Sequence, residues 1–295
     1  MTIGLNPSTP FNEPSYITVA EYQNAPTAID YNNLVSGGNQ LAQDAELYNV
    51  ISRASSFMNE YLNQSLSAST VTEQQRTRVT PQGNLAVHPF NSPVISLSSF
   101  RYGANPNQLV TLSDCSQAWF EDEQIIIPLS QFPTTSQGPL SFGGNAPSRT
   151  QIFCIYTYIA GFVNSYINVA TAGQTSLTVT DASGFQANGI YRISDGAGSE
   201  SIVIASSYVY GSTTLPLVSA LSYTHANGVA VGSLPTTIKQ ACILVTTAFL
   251  KVRGDASMTM QLTSSPNRAV GNAMQLYGSE MASAITMLDL YRRIR

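Results

Sequence analysis

Ile152-Phe153-Cys154-Ile155-Tyr156-Thr157-Tyr158-Ile159-Ala160-Gly161-Phe162-Val163 and Leu234-Pro235-Thr236-Thr237-Ile238-Lys239-Gln240-Ala241-Cys242-Ile243-Leu244-Val245-Thr246-Thr247-Ala248-Phe249-Leu250-Lys251-Val252-Arg253 are the two stretches that decide the fold. The first is β-branched and aromatic and ends at a glycine, which predicts a buried strand. The second opens on Pro235 and repeats apolar residues at 238, 241, 242, 245, 248, 249 and 252. That spacing predicts a helix capped by Thr236 or Thr237 and stopped at Gly254. Ile243, Leu244 and Leu250 lie off the stripe, so the helix is apolar over most of its circumference and belongs in a core or a subunit interface. The two stretches read as one structural unit cut in two by residues 164–233.

That intervening segment changes character. It contains no helical period, no lysine and one positive charge, Arg192. Short strand-like pieces follow one another: Leu177-Thr178-Val179, Ile190-Tyr191-Arg192-Ile193, Ile202-Val203-Ile204, Tyr208-Val209-Tyr210, Leu215-Pro216-Leu217 and Val229-Ala230-Val231. Turn signals such as Asn188-Gly189, Asp195-Gly196 and Asn227-Gly228 separate them. The pattern predicts an all-β sandwich or barrel-like domain over 164–233, inserted where the host chain tolerates it because its ends stay close. The host is then discontinuous, 1–163 and 234–295, and the expected fold class is α+β.

The host's elements read outward from there. Residues 1–16 carry three prolines and read as an extended arm, followed by a short helix at Thr18–Tyr22. Residues 39–63 are the clearest amphipathic helix, with Leu47, Val50, Ile51, Ala54, Phe57, Met58, Tyr61 and Leu62 on one stripe. Residues 64–76 read as a polar linker. From 77 the period becomes two, with strands at 94–102, 109–112, 118–120 and 124–128, then a Pro-, Gly- and Ser-rich loop over 129–149. After the central helix, 255–272 reads as loop and 273–294 as a last helix, with Arg292, Arg293 and Arg295 in its final turn.

The 295 residues suffice for one or two domains. Charged residues make up 10% of the chain, against roughly 25% in typical soluble domains. Ser, Thr, Asn, Gln, Gly and Tyr fill the deficit, a surface suited to being covered in an assembly because neutral polar groups cost less to desolvate than ions. Net charge is −4 and only Lys239 and Lys251 are lysines, which argues against general nucleic-acid affinity. Cys115, Cys154 and Cys242 are odd in number and far apart, so they read as unpaired thiols in a reducing compartment. No secretion signal and no membrane-spanning run is expected.

Chemistry-bearing residues are sparse. His88 has no Cys, Asp or His at ligand spacing, and His225 lies in a hairpin approach; both read as turn or surface histidines. No serine sits in a nucleophile elbow and no cysteine has a nearby histidine. The single GxG at Gly196–Gly198 precedes another strand, so no helix N-terminus is offered to a phosphate. Asp195 and Glu200 offer at most a weak calcium site, without regular ligand alternation. Glu121-Asp122-Glu123 reads as a solvated turn or an acidic patch facing a partner or a channel. Arg292, Arg293 and Arg295 either complement the helix dipole or reach a partner. No catalytic residue, cofactor or metal is expected; an enzyme reading, such as a small hydrolase, would rest on Asp195 or His225.

The order of parts resembles the head-to-tail connector (adaptor) proteins of tailed double-stranded DNA phages. The resemblance is carried by Ile17-Thr18-Val19-Ala20-Glu21-Tyr22, Ile51–Met58, Pro93–Ser99, and Tyr156–Phe162 leading into Leu234–Ala241. The segment 164–233 resembles β modules recurring in phage structural proteins, through Thr175–Val179 and His225–Val231. The resemblance implies a non-catalytic virion protein of the neck, assembled in the host cytoplasm into a ring, most often of twelve copies. Such a ring sits under the portal and extends the DNA channel towards the tail. Implied partners are its own copies, the portal, a tail or tail-completion protein, and a fibre or decoration protein through 164–233. DNA passes without specific binding. The alternative is a tail-completion or fibre-attachment protein whose β module holds the ligand.

Overall fold

The computed structural model describes residues 15–27, 29–31, 34–80, 84–128, 151–251 and 278–293. The fold is α+β, and the chain divides into two compact units, 68–162 and 1–67 together with 163–295.

Unit 68–162 is all β. Its strands are β1 (Ser69–Thr77), β2 (Asn84–Val87), β3 (Val94–Gly103), β4 (Val110–Thr111), β5 (Trp119–Glu121), β6 (Gln124–Pro128) and β7 (Ile152–Ala160). They form two antiparallel sheets, ordered β1-β7-β3-β4 and β2-β6-β5. β7 is central in the first sheet and pairs along its whole length with β1, from Ser69↔Ala160 to Thr77↔Ile152. Alternate residues of both sheets fill one core, including Leu85, Val87, Phe100, Ile125, Ile127, Ile152, Cys154 and Tyr156. The buried strand expected at 152–160 is present, and so are the shorter ones after Pro93.

β1 corrects the expected linker at 64–76. Its inward positions are Val71, Glu73 and Gln75, so the strand has no apolar alternation to read. Polar bonds hold it instead. The Glu73 carboxylate accepts from Phe90 N (3.1 Å), the Tyr156 hydroxyl (3.0 Å) and the Tyr158 hydroxyl (2.7 Å), and Gln75 Oε1 accepts from His88 N (3.0 Å).

The second unit carries the helices. α1 (Val19–Gln23) opens with a capping box, Thr18 accepting from Glu21 N while the Glu21 side chain accepts from Thr18 N. α2 (Gln40–Leu62) is capped by the Asn39 side chain and ends at Asn63, whose φ of 58° closes the helix in the left-handed region. α3 (Thr236–Lys251) follows Pro235 and buries Ile238, Ala241, Cys242, Val245, Thr246, Thr247, Ala248 and Leu250. α4 spans 278–288 and continues as a 3-10 turn, Asp289–Tyr291. α2 and α3 pack through Phe57 and Phe249, edge to face at 5.8 Å, and through Ser55 and Cys242. Tyr22 joins α1 to α3 by a hydroxyl contact with Thr247 at 3.1 Å. Among the described residues no helix is long and apolar enough to cross a membrane.

The same unit holds the β segment. Its strands are β8 (Asn164–Tyr166), β9 (Ser176–Thr178), β10 (Ile190–Ser194), β11 (Glu200–Val203), β12 (Thr214–Pro216) and β13 (Ala230–Gly232). They form a four-stranded sheet, β11-β10-β13-β8, and a two-stranded sheet, β12-β9; neither closes into a barrel. A core of its own, including Ile167, Leu177, Phe185, Ile193, Ile204, Leu215 and Val231, lies within residues 163–231. Its ends meet: Asn164 pairs with Gly232, and Ser233 N donates to Val163 O at 2.9 Å.

Two expectations are corrected here. Tyr208–Tyr210 is not a strand; Tyr208 turns into the core and its hydroxyl donates to Ser212 O at 3.1 Å. The stretches 152–163 and 234–253 are not one unit either. β7 belongs to 68–162 and α3 to the other unit, because β7 takes both of its ladders from β1 and β3.

Candidate functional site

The strongest concentration of charge chemistry is in the β segment, and it gathers residues read separately in the sequence. β10 and β11 are adjacent antiparallel strands with Ile193 opposite Glu200. The turn between them therefore brings Asp195 and Glu200 to one end of the sheet. His225 is carried in by a two-bond bridge to Ala170, 2.8 and 3.1 Å. Its side chain is fully buried, with Nδ1 2.8 Å from Asp195 Oδ2 and Nε2 2.9 Å from Glu200 Oε1. Glu200 also accepts from the backbone of Ser222 (2.9 Å) and Tyr223 (3.1 Å).

An imidazole donates through both nitrogens only when it carries both protons. Here each ring nitrogen lies within hydrogen-bond distance of a carboxylate oxygen, so the ring bridges the two acids. Burial pushes the Glu200 carboxyl upward, but the Ser222 N–H, the His225 ring and the Tyr223 N–H outweigh it and hold it below its ordinary value. Among the described residues no group of three or more His, Cys, Asp or Glu has metal-holding geometry. The surface reading of His225 is thus corrected, and Asp195 and Glu200 are drawn with it into a cross-loop clasp. No sequence period could reveal it, since the partners lie 30 and 25 residues away.

Beside the clasp, in the same unit, runs an open groove of about 850 Å³, lined among others by Ile17, Glu21, Tyr166, Arg192, Asp195 and Lys239. One of the chain's two lysines anchors it. Lys239 Nζ lies 2.6 Å from Glu21 Oε1 and 3.0 Å from Ser194 Oγ, which ties α3 to α1 and β10. Tyr166 donates to Ser15 O at 3.1 Å, and burial pushes its phenol up to about 12. The groove sets no activated nucleophile beside a base, and its lysine is already paired with Glu21.

The remaining candidates stand apart. Asp122 and Glu123, at φ 47° and 61°, make the two-residue turn between β5 and β6, with Glu121 opposite Gln124. All three carboxylates are exposed at the tip of a hairpin, an arrangement that does not converge on a substrate. Arg292 lies 4.9 Å over the Tyr61 ring, and Arg293 N donates to Leu62 O at 3.0 Å; Arg295 lies outside the described residues. His88 is exposed on the all-β unit. All three cysteines are free thiols.

Comparison with known proteins adds one likeness. No family model and no curated protein matches the chain. A solved structure described as "Neck of empty GTA particle computed with C6 symmetry" is similar at 12% identity and a TM-score of 0.39, over 95% of this chain and 90% of that one. A likeness of that degree assigns neither fold nor role.

Proposed function

We propose that the chain is a non-catalytic virion subunit of the phage neck, forming a ring, of twelve copies by the connector pattern, that joins portal to tail. The carrying observation is the α1–α2–α3 cluster, in which Tyr22 meets Thr247 and Phe57 meets Phe249. It joins, in one packed body, the first two and the last of the chain segments that bear the connector resemblance. Support also comes from apolar side chains left exposed on that body, Leu41 at 77% and Leu290 at 84%, on a chain with few charges. Such residues suit side-by-side packing of copies, and a head-to-tail contact repeated round an axis closes as a ring. Residues 164–233 act as an inserted module, a reading supported by their own core and joined ends. Native mass spectrometry and electron microscopy, with and without portal, test this. A ring is expected; a monomer that ignores portal overturns it.

A second reading, a tail-completion or fibre-attachment protein, is favoured by one observation. The β module exposes Val169, Ile190, Val209 and Val218 at 61–73%, which suits a partner surface. Deleting 164–233 would then abolish fibre binding and leave assembly intact.

A further inference from the structure

We infer that the outer face of the β1-β7-β3-β4 sheet, with the hollow at the end of β1, is a contact surface for the phosphate backbone of duplex DNA.

Register puts the residues of this face in rows. Arg76 lies opposite Phe153, Gln74 opposite Ile155, and Thr72 opposite Thr157. On the other side of β7, Arg101 lies opposite Ile155 and Ser99 opposite Thr157, and β4 adds Thr111 beside Arg101. Thr70, Thr72, Gln74, Arg76, Arg101 and Thr111 are all exposed. None of these positions is a carboxylate; the one acid of β1, Glu73, points to the opposite face and is bound there by Tyr156 and Tyr158.

Arg76 also borders a hollow of about 450 Å³ whose lining includes Arg78, His88, Gln75, Gln124 and Gln151 and again no carboxylate. Every described cation of this unit (Arg76, Arg78, Arg101) therefore belongs to one continuous surface, and none of the three is in an ion pair among the described residues. Arg76 instead lies over the Phe153 ring at 5.5 Å.

Strand spacing decides what this surface fits. Arg76 and Arg101 sit on either side of β7, two residues apart in register. Two strand spacings and that offset put their Cα atoms roughly 12 Å apart. Side chains reaching out from positions that far apart can engage separate phosphates of one duplex, whose grooves are walled by rows of them. Guanidinium, hydroxyl and amide groups are the side chains that contact phosphate oxygens, fixing position without reading sequence. Three arginines per copy give a weak, salt-labile contact, suited to DNA that slides. The acidic Glu121–Glu123 turn precedes Gln124 and bounds the surface on that side by repulsion. This inference rests on the neck reading for its biological setting, but not for its test.

The test titrates the labelled full chain with a short duplex at about 20 mM salt, where screening is weak, and follows backbone amides by NMR. Shifts are expected on the outer rows of β1, β3 and β7 and around Arg78, fading by about 200 mM. Anisotropy on a labelled duplex gives the salt slope, which each of Arg76→Gln, Arg78→Gln and Arg101→Gln lowers by about 0.9. Glu121→Gln with Asp122→Asn and Glu123→Gln tightens binding. No shifts at low salt, an unchanged slope in the triple arginine variant, or equal shifts from poly-glutamate would overturn the inference. Native mass of the same samples keeps the two readings apart. An intact ring without DNA shifts sinks this surface alone, whereas shifts on a protein that never assembles sink the ring alone.

Discussion

Replacing His225 by alanine removes the bridge between two carboxylates and tests the clasp directly. The Glu200 arm is nearly enclosed, its side chain 11% exposed, and the Asp195 arm is open at 34%. A hydrogen bond to a charged group contributes about 1.5–3 kcal/mol when enclosed. The open arm is screened by water and contributes about 0.5–1 kcal/mol. A further cost comes from leaving the Asp195 and Glu200 carboxylates without the partner that bridges them. The sum is about 3 kcal/mol, within the range for breaking a buried pair. For a segment that unfolds as a body of about 60–100 residues, this lowers Tm by roughly 12–24 °C; if it unfolds with the helices, by roughly half or less. Calorimetry at neutral pH reads either case. Acid supplies the control. The folded Glu200 carboxyl lies below its ordinary value of 4.5, so its contribution is complete above that value and is lost as pH falls through the folded one. The difference between the wild type and Glu200→Gln should therefore be full at neutral pH and shrink below about pH 4. A His225→Ala melt within about 2 °C of wild type, or a Glu200→Gln difference that grows on acidification, would refute the clasp.

Two further outcomes follow from buried polar groups. Glu73→Ala leaves the Tyr156 and Tyr158 hydroxyls and the Phe90 N–H without their common acceptor, in residues at most 1% exposed for the two tyrosines. The expected loss is about 2–4 kcal/mol, read as a lower urea midpoint with unchanged slope. Burial pushes the Cys154 and Cys242 thiols up to about 12 and raises that of half-buried Cys115 less. Native protein at pH 8 should therefore release at most one equivalent from a disulfide reagent, slowly, and three after denaturation; rapid release of two or more from the folded chain contradicts the burial.

What the sequence discloses and conceals has one physical basis here. α2 is legible because Leu47, Val50, Ile51, Ala54 and Met58 are buried on one stripe and Asn39 and Asn63 close its ends. α3 is legible for the same reason, since Pro235 starts it and its apolar residues repeat at helical spacing. β1 is illegible because its inward residues satisfy hydrogen bonds and bury little apolar surface, so no alternation of hydrophobicity records which side faces in. β8, Asn164-Ser165-Tyr166, is hidden likewise: its side chains are spent on polar contacts, Asn164 donating to Ser15 O and Ser67 Oγ, both at 3.1 Å. The clasp is further beyond reach. A turn signal marks Asp195-Gly196, but nothing local connects it to His225 or to Glu200 until strand register fixes which loops share an end. The same holds for the arginine face: Arg76 and Arg101 are isolated cations in the sequence, and only the pairing of both strands with β7 makes them neighbours. Polar sites assembled by register are thus the class that periodicity cannot find, and in a chain with this few charges they are where function should be sought.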